Sequence, residues 1–219
     1  MATETTIQDY LKAVWNAGEW SDAPVTVSAL ANRLGLSPSS VSELVRKLAD
    51  QGLVTHAKYG SVELTDAGRA IALATVRKHR LIETFLVDYL GYGWDEVHDE
   101  AEVLEHAVSD EFVERLAAKL GNPTHDPHGD PIPSAAGTLP AVEQAGLDAV
   151  EAGSRVRIAR VSDDDPDLLR HLTDVGVLIG EVVEVEARRP AAGVVELRVG
   201  DGLVPLGLSA ARVILTERA

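Results

Sequence analysis

Apolar positions recur along the first part of the chain at helical spacing, broken by polar punctuation. Ile7, Leu11, Val14 and Trp15 fall on one face of a helix predicted over residues 5–19, with Thr5 or Thr6 as its cap. A short helix follows over Val27–Leu34, with Leu30 and Leu34 inward, and Gly35 breaks it. Ser37 and Pro38 then have the order of an N-cap and a first helical residue. Val41, Leu44, Val45 and Leu48 give the next helix a single apolar stripe, and Gly52 closes it. The period then changes to two. Leu53–Ala57 and Ser61–Thr65 flank Lys58-Tyr59-Gly60, the pattern of a hairpin. Residues 27–51 with this hairpin read as a winged helix-turn-helix.

A long helix is predicted from Thr65 to about Tyr89, and two further helical stretches lie between Trp94 and Leu120. Residues 121–140 form a Pro- and Gly-rich loop. Beyond it the pattern turns to short alternating Val- and Arg-rich runs at 154–158, 182–185 and 194–199, the mark of a small β-barrel, with one helical insert over Pro166–Asp174. The fold class expected is mainly α with a small β portion. The expected domains are 1–74, 75–140 and 150–219, with a linker over 141–149.

Charge divides along the same boundaries. The net charge of −15 argues against constitutive, non-specific nucleic-acid binding, which depends on Lys and Arg at phosphates. Residues 1–75 carry six basic and eight acidic side chains, a net −2, whereas residues 76–140 carry five and thirteen, a net −8. The DNA-reading segment is therefore nearly neutral. At the start of its second helix, Ser37, Ser39, Ser40, Ser42 and Glu43 are candidates to meet base edges. Arg33, Arg46, Lys47 and the wing residue Lys58 suit phosphates.

In the acidic segment the carboxylates mix with histidines at helical spacing. His79 and Glu83 are one turn apart, and His98, Glu102, Glu105 and His106 share one face of the next helix. Paired same-face sets of this kind are how helical metal sites are assembled. The chain has no cysteine, and its one methionine is the first residue, so the donors are hard oxygens and imidazoles. Such donors suit Mn2+ or Fe2+, and the missing thiolates exclude zinc ribbons, iron–sulfur clusters and disulfides. Asp9 on the first helix could join these donors if that helix packs beside them. His125, Asp126 and His128 make a looser cluster in the loop. Asp163, Asp164, Asp165 and Asp167 lie before and at the start of the inserted helix, where acids serve as caps and dipole partners. No apolar run is long enough to span a bilayer and the first residues lack a signal-peptide pattern, so a cytoplasmic protein with no membrane partner is expected.

The order of these blocks resembles the diphtheria toxin repressor family. The resemblance rests on the helix-turn-helix and wing, Arg77-Lys78-His79-Arg80-Leu81-x-Glu83, Val97-His98-Asp99-Glu100-Ala101-Glu102-x-x-Glu105-His106 and Gly129-Asp130-Pro131-Ile132-Pro133. It implies metal-activated dimeric repressors with a helical dimerisation and metal-binding domain and a C-terminal SH3-like domain. It implies a primary site of Asp9, Glu102, Glu105 and His106. The iron-responsive branch typically has Met and Cys where this chain has Asp9 and Glu102, so the resemblance is to the manganese-responsive branch. The ancillary site it implies is His79, Glu83 and His98, completed by Asp165 from the third domain or by Asp126 and His128 from the loop. Small manganese regulators without a third domain carry a carboxylate one turn beyond the first-helix ligand. Lys12 stands near there in this chain, so their two-metal geometry is not carried over.

The function expected is a Mn2+-activated homodimeric repressor that binds double-stranded operator DNA of metal-uptake genes, and no enzyme. Phe85, Leu86, Leu90 and Trp94 are candidates for the dimer surface. An iron(II)-responsive repressor of the same fold is the alternative. A metal-dependent hydrolase is a remote one, because no nucleophile or substrate-pocket signature accompanies the donors.

Overall fold

The computed structural model describes residues 3–21, 23–56, 60–140 and 143–219. The chain divides into two compact units, one of Met1–His79 with Pro133–Thr138 and the other of Arg80–Ile132 with Leu139–Ala219.

The first unit is built on helix α1 (Glu4–Glu19), α2 (Val27–Leu34) and α3 (Pro38–Asp50). Thr3, rather than Thr5 or Thr6, caps α1: its Oγ1 accepts from the Thr6 N–H at 3.2 Å. Thr26 caps α2, and Gly35 at φ +63° ends it in the left-handed turn that separates α2 from α3. The α3 stripe of Val41, Leu44, Val45 and Leu48 is buried with Leu11, Val14 and Leu30. Strands β1 (Val54–His56) and β2 (Val62–Leu64) pair antiparallel, with Thr55 opposite Glu63, and Val54 and Val62 enter the same core. The wing tip with Lys58 lies outside the described residues.

Helix α4 (Asp66–Leu90) opens at Gly68, where any Cβ would sit 1.9 Å from the Leu53 carbonyl oxygen. The helix runs without a break from the first unit into the second, and Leu81, Ile82 and Leu86 there join the core of α5 (Val97–Glu105) and α6 (Asp110–Lys119). Two of the residues expected at a dimer surface belong to this unit's own interior. Leu86 is 3% exposed within the helical core, and Trp94 packs on the core of the β-region. Phe85 is also partly buried against the helical core and stacks on Tyr89, while Leu90 is exposed together with Tyr89, Val103 and Phe112.

The rest of the second unit is an antiparallel sheet in the order β3 (Ala145–Gly146), β8 (Ile214–Arg218), β4 (Arg155–Val161), β5 (Val182–Arg189), β6 (Val194–Val199), β7 (Gly202–Gly207). Helices α7 (Pro166–Asp174) and α8 (Leu208–Arg212) accompany it. Its core gathers Ile158, Val161, Leu169, Leu172, Val195, Leu197 and Ile214. Strand β7 did not declare itself in the sequence because Pro205 interrupts the run. An edge strand tolerates a proline, and β7 is at the edge of the ladder.

Strand β4 carries a bulge. Ile158 pairs with Thr216, Arg160 with Leu215 and Val161 with Ile214, so Ala159 is the extra residue. Ile158 and Val161 both point into the sheet's core, which turns Ala159 and Arg160 to the other face. The loop over 126–130 docks there. The Val161 N–H donates to the His128 carbonyl at 2.9 Å. Gly129, at φ +81°, lies so close that a Cβ would meet the Ala159 carbonyl oxygen at 2.0 Å.

Gly129→Ala is therefore expected to destabilise this unit by at least the roughly 1–3 kcal/mol that a non-glycine residue costs at such a backbone angle. Urea unfolding of the metal-free protein measures it. A midpoint equal to wild type would show that the loop does not dock on the β4 bulge.

Candidate metal centre

Helix α5 supplies one donor set. Glu102 and Glu105 are one turn apart and His106 follows as the helix's C-cap, so spacing alone puts three donors at one helix end. One ligand atom from each of Glu102, Glu105 and His106 lies within 4.8 Å of the others. Glu105 is 2% exposed, and the His106 Nε2 is 3.4 Å from its carboxylate. Asp9 lies on α1 in the first unit and is half-buried there.

A second set centres on Glu83, which is 1% exposed on α4. His79 precedes it by one turn of the same helix and is buried. Glu83, His98 and Asp163 converge, with ligand atoms within 4.8 Å. His98 Nδ1 is 2.8 Å from Asp163 Oδ2 and 3.6 Å from Glu83 Oε1. Burial pulls the His98 pKa down, but hydrogen bonds and charge from Asp163 and Glu83 prevail and push it up to about 11. Burial likewise raises Asp163, yet the His98 hydrogen bond and charge hold it well below the usual carboxylate range.

The resemblance offered Asp165 as the third-domain acid, with Asp126 and His128 as the alternative completion. Asp165 Oδ1 accepts from the N–H groups of Asp167 and Leu168 at 3.0 and 3.1 Å, which is the N-cap of α7. Asp163, two residues earlier and just past the β4 bulge, reaches His98 instead. Composition gave no means of choosing among the acids of this run, because the bulge decides which one turns toward α5.

A third set, Glu83, Asp126 and His128, is wholly buried and shares Glu83 with the second. The loop is held in place from inside. Asp126 Oδ1 accepts from the N–H groups of His128 and Asp130, each at 2.9 Å. Arg80 donates to the Pro131 carbonyl at 2.7 Å and pairs with Asp130, and Arg160 from the bulge bonds Asp130 from the other side. Arg80, Asp130 and Arg160 were not legible as site residues in the sequence. Asp126 Oδ2 and His128 Nδ1 are buried with no hydrogen-bond partner among the described residues. Burial, then the charges of Asp130 and Glu83, raise the Asp126 pKa despite Arg80. His125 stays apart, exposed and bonded to Thr124 Oγ1.

These donors fit a divalent cation of hard character. They are oxygens and imidazole nitrogens only, and buried orphan lone pairs at Asp126 and His128 meet the charge of Glu83.

On α3, Ser39, Ser40, Ser42 and Glu43 are exposed, as are Arg33 and Arg46. Ser37 is occupied as the N-cap, accepting from the Ser40 N–H at 3.2 Å, so its hydroxyl shapes the helix start. Lys47 is half-buried and pairs with Glu43 at 2.8 Å.

A helix-turn-helix with an exposed polar start to its second helix, in one chain with carboxylate–imidazole centres, has the parts of a metal-responsive DNA-binding protein. Comparison with known proteins narrows this. Residues 2–62 match the iron dependent repressor N-terminal DNA binding domain, residues 65–134 match the iron dependent repressor metal binding and dimerisation domain, and residues 146–218 match the FeoA domain. The iron-dependent repressor IdeR of Mycobacterium tuberculosis is 35% identical over 225 aligned residues that cover 97% of each chain. Among solved structures, a manganese-dependent transcriptional repressor in complex with manganese is 50% identical, with a TM-score of 0.93 over 97% of this chain and 100% of that one. ScaR with bound Zn2+ is 35% identical, with a TM-score of 0.85 over 97% and 99%. The chain belongs to the iron-dependent repressor family, the family of the diphtheria toxin repressor. It is a metal-dependent transcriptional repressor with an SH3-like C-terminal domain, and the hydrolase alternative is set aside. No helix among the described residues is long and apolar enough to cross a membrane.

The raised His98 pKa yields a pH prediction for the metal-free protein. A group whose folded pKa lies above its unfolded value stabilises fully below the unfolded value, near 6.5, and loses that contribution as pH rises toward about 11. The stability advantage of wild type over His98→Gln should therefore shrink as pH rises from about 6.5. Urea midpoints across pH test this, and a constant difference would refute it.

Proposed function

We propose that the protein is a Mn2+-activated homodimeric repressor that binds operator DNA of metal-uptake genes and works in the cytoplasm. The observation that carries the reading is the sulfur-free donor set of Glu102, Glu105 and His106. Asp9 is proposed as its fourth member. His79, Glu83, His98 and Asp163 are proposed as the ancillary set, with Asp126 and His128 as further donors around Glu83. The division of labour proposed is DNA reading in 1–74, metal binding and dimerisation in 75–140, and an SH3-like module in 150–219.

A bound divalent cation would supply positive charge that offsets the mutual repulsion of Asp9, Glu102 and Glu105. The rest is the work of the chain. Asp9 is carried by α1, whose Leu11 and Val14 share one core with the α3 stripe, so restraining Asp9 restrains the recognition helix. In a homodimer, two restrained α3 helices meet successive major grooves about one helical turn apart, or a multiple of it. Ser39, Ser40, Ser42 and Glu43 would meet bases, and Arg33, Arg46, Lys47 and Lys58 phosphates. The exposed Tyr89, Leu90, Val103 and Phe112 supply apolar surface for dimerisation.

Linkage requires operator DNA and Mn2+ to raise each other's affinity by one common factor, typically about 5–150-fold. Metal titrations with and without operator test this, and an unchanged Mn2+ affinity would overturn the reading. In the same assay Asp9→Met/Glu102→Cys should shift the preference toward Fe2+. Arg46→Ala should weaken DNA binding across sequences and reduce the salt slope by about one.

A second reading, iron(II) as the activating metal, is favoured by the iron-dependent repressor IdeR relatives at 35% identity. Gel shifts with Mn2+ and with anaerobic Fe2+ separate the two.

A further inference from the structure

His128 is fully buried, and its ring is set by two groups of Trp94. The Trp94 carbonyl lies 2.6 Å from His128 Nε2. A carbonyl can only accept, so Nε2 carries a proton, and the tautomer this selects has its lone pair on Nδ1. That Nδ1 faces Glu83 Oε2 at 3.9 Å and has no hydrogen-bond partner among the described residues. The Trp94 indole also stacks on the imidazole, with centroids 6.0 Å apart and planes 17° from parallel. The ring is thus held in one tautomer and one orientation, with its only free donor atom turned to Glu83 and Asp126.

What places the Trp94 carbonyl is itself informative. Trp94 stands in the connection between α4 and α5, where no helix ladder fixes the backbone. Helix α7 of the SH3-like domain holds it by two side-chain contacts. The Trp94 Nε1–H donates to Thr173 Oγ1 at 2.9 Å, and Arg170 donates to the Asp95 carboxylate at 3.1 Å. Thr173 Oγ1 is fixed in turn by donating to the Leu169 carbonyl at 3.0 Å.

We propose that Trp94 is a positioning residue for the Glu83–Asp126–His128 donors, through which helix α7 presets His128 to offer Nδ1 to a metal ion. This rests on the proposed metal-binding role of that cluster. It gives the C-terminal domain a definite part in metal sensing, since α7 contributes no ligand there and acts through the Trp94 carbonyl. Outer partners of this kind fix the tautomer and orientation of a histidine ligand.

The experiment uses the full-length protein and Mn2+ itself. Calorimetric titration of wild type and His128→Ala identifies the binding step that needs His128. Thr173→Val, which keeps the shape but removes the acceptor hydroxyl, should weaken that step roughly 10-fold and leave the others unchanged. Thr173→Ser, which keeps the hydroxyl, should bind as wild type. Tryptophan emission of wild type should change over that step, and Trp94→Phe should abolish the change. Thr173→Val with wild-type affinity, equal weakening of every step, or an emission change that survives in Trp94→Phe would each overturn the proposal. A His128→Ala protein that keeps every binding step would instead show that the cluster is no metal site, and the inference would fall with it.

Discussion

The second unit is organised around a carboxylate that has almost no water. Glu83 is 1% exposed, and within reach of it lie Asp163, Asp126, His98 and His128. An ionised carboxylate in such a place is costly unless charges and donors compensate it. Arg80 and Arg160 pair with Asp130, Arg80 also lies 3.6 Å from Asp126, and protonated His98 answers Asp163. Among the described residues two buried polar atoms, on Asp126 and His128, have no hydrogen-bond partner. Under the proposed function a divalent cation would meet both atoms. On the same proposal this interior acidity is a demand for metal, and the surrounding architecture holds the acids in place.

The β4 bulge is the main device. A regular strand would continue its alternation past Ile158 and return Arg160 to the sheet's own core face. The extra residue at Ala159 lets Val161 take the core position while Arg160 bonds Asp130 and Asp163 reaches His98. Gly129 makes room for the loop against the same point of β4. A charged arginine, a glycine with a positive φ and a strand irregularity would each look like a defect in isolation. Together they join the loop over 126–130 to the SH3-like sheet.

The overall charge of −15 fits the same logic. The DNA-reading segment is close to neutral, and its second helix begins with hydroxyls rather than cations. Non-specific attraction to phosphate is weak in such a chain. Affinity for DNA must then come from geometry, which is the property that a metal-dependent restraint can change. Glu102 and Asp9 offer hard oxygen, and the sequence holds no cysteine.

Much of this was legible in the residues alone. The helix-turn-helix followed from two apolar stripes with Gly35, Ser37 and Pro38 between them. The sets around His79, Glu83, His98, Glu102, Glu105 and His106 followed from helical periodicity, because residues three and four apart share a face wherever the helix goes. The helical insert over Pro166–Asp174 was equally plain, since proline and the preceding acid mark a helix start. The choice of Asp163 over Asp165, the clamp of Arg80, Asp130 and Arg160, and the burial of Asp126 and His128 were not legible. Each depends on where a bulge shifts a strand's register or on how a loop docks far away in sequence. Phe85, Leu86, Leu90 and Trp94 looked equivalent as apolar residues, yet only Leu90 stays exposed. Local periodicity sets which residues travel together on one element. Tertiary packing decides which elements meet, and so which acids lose their water.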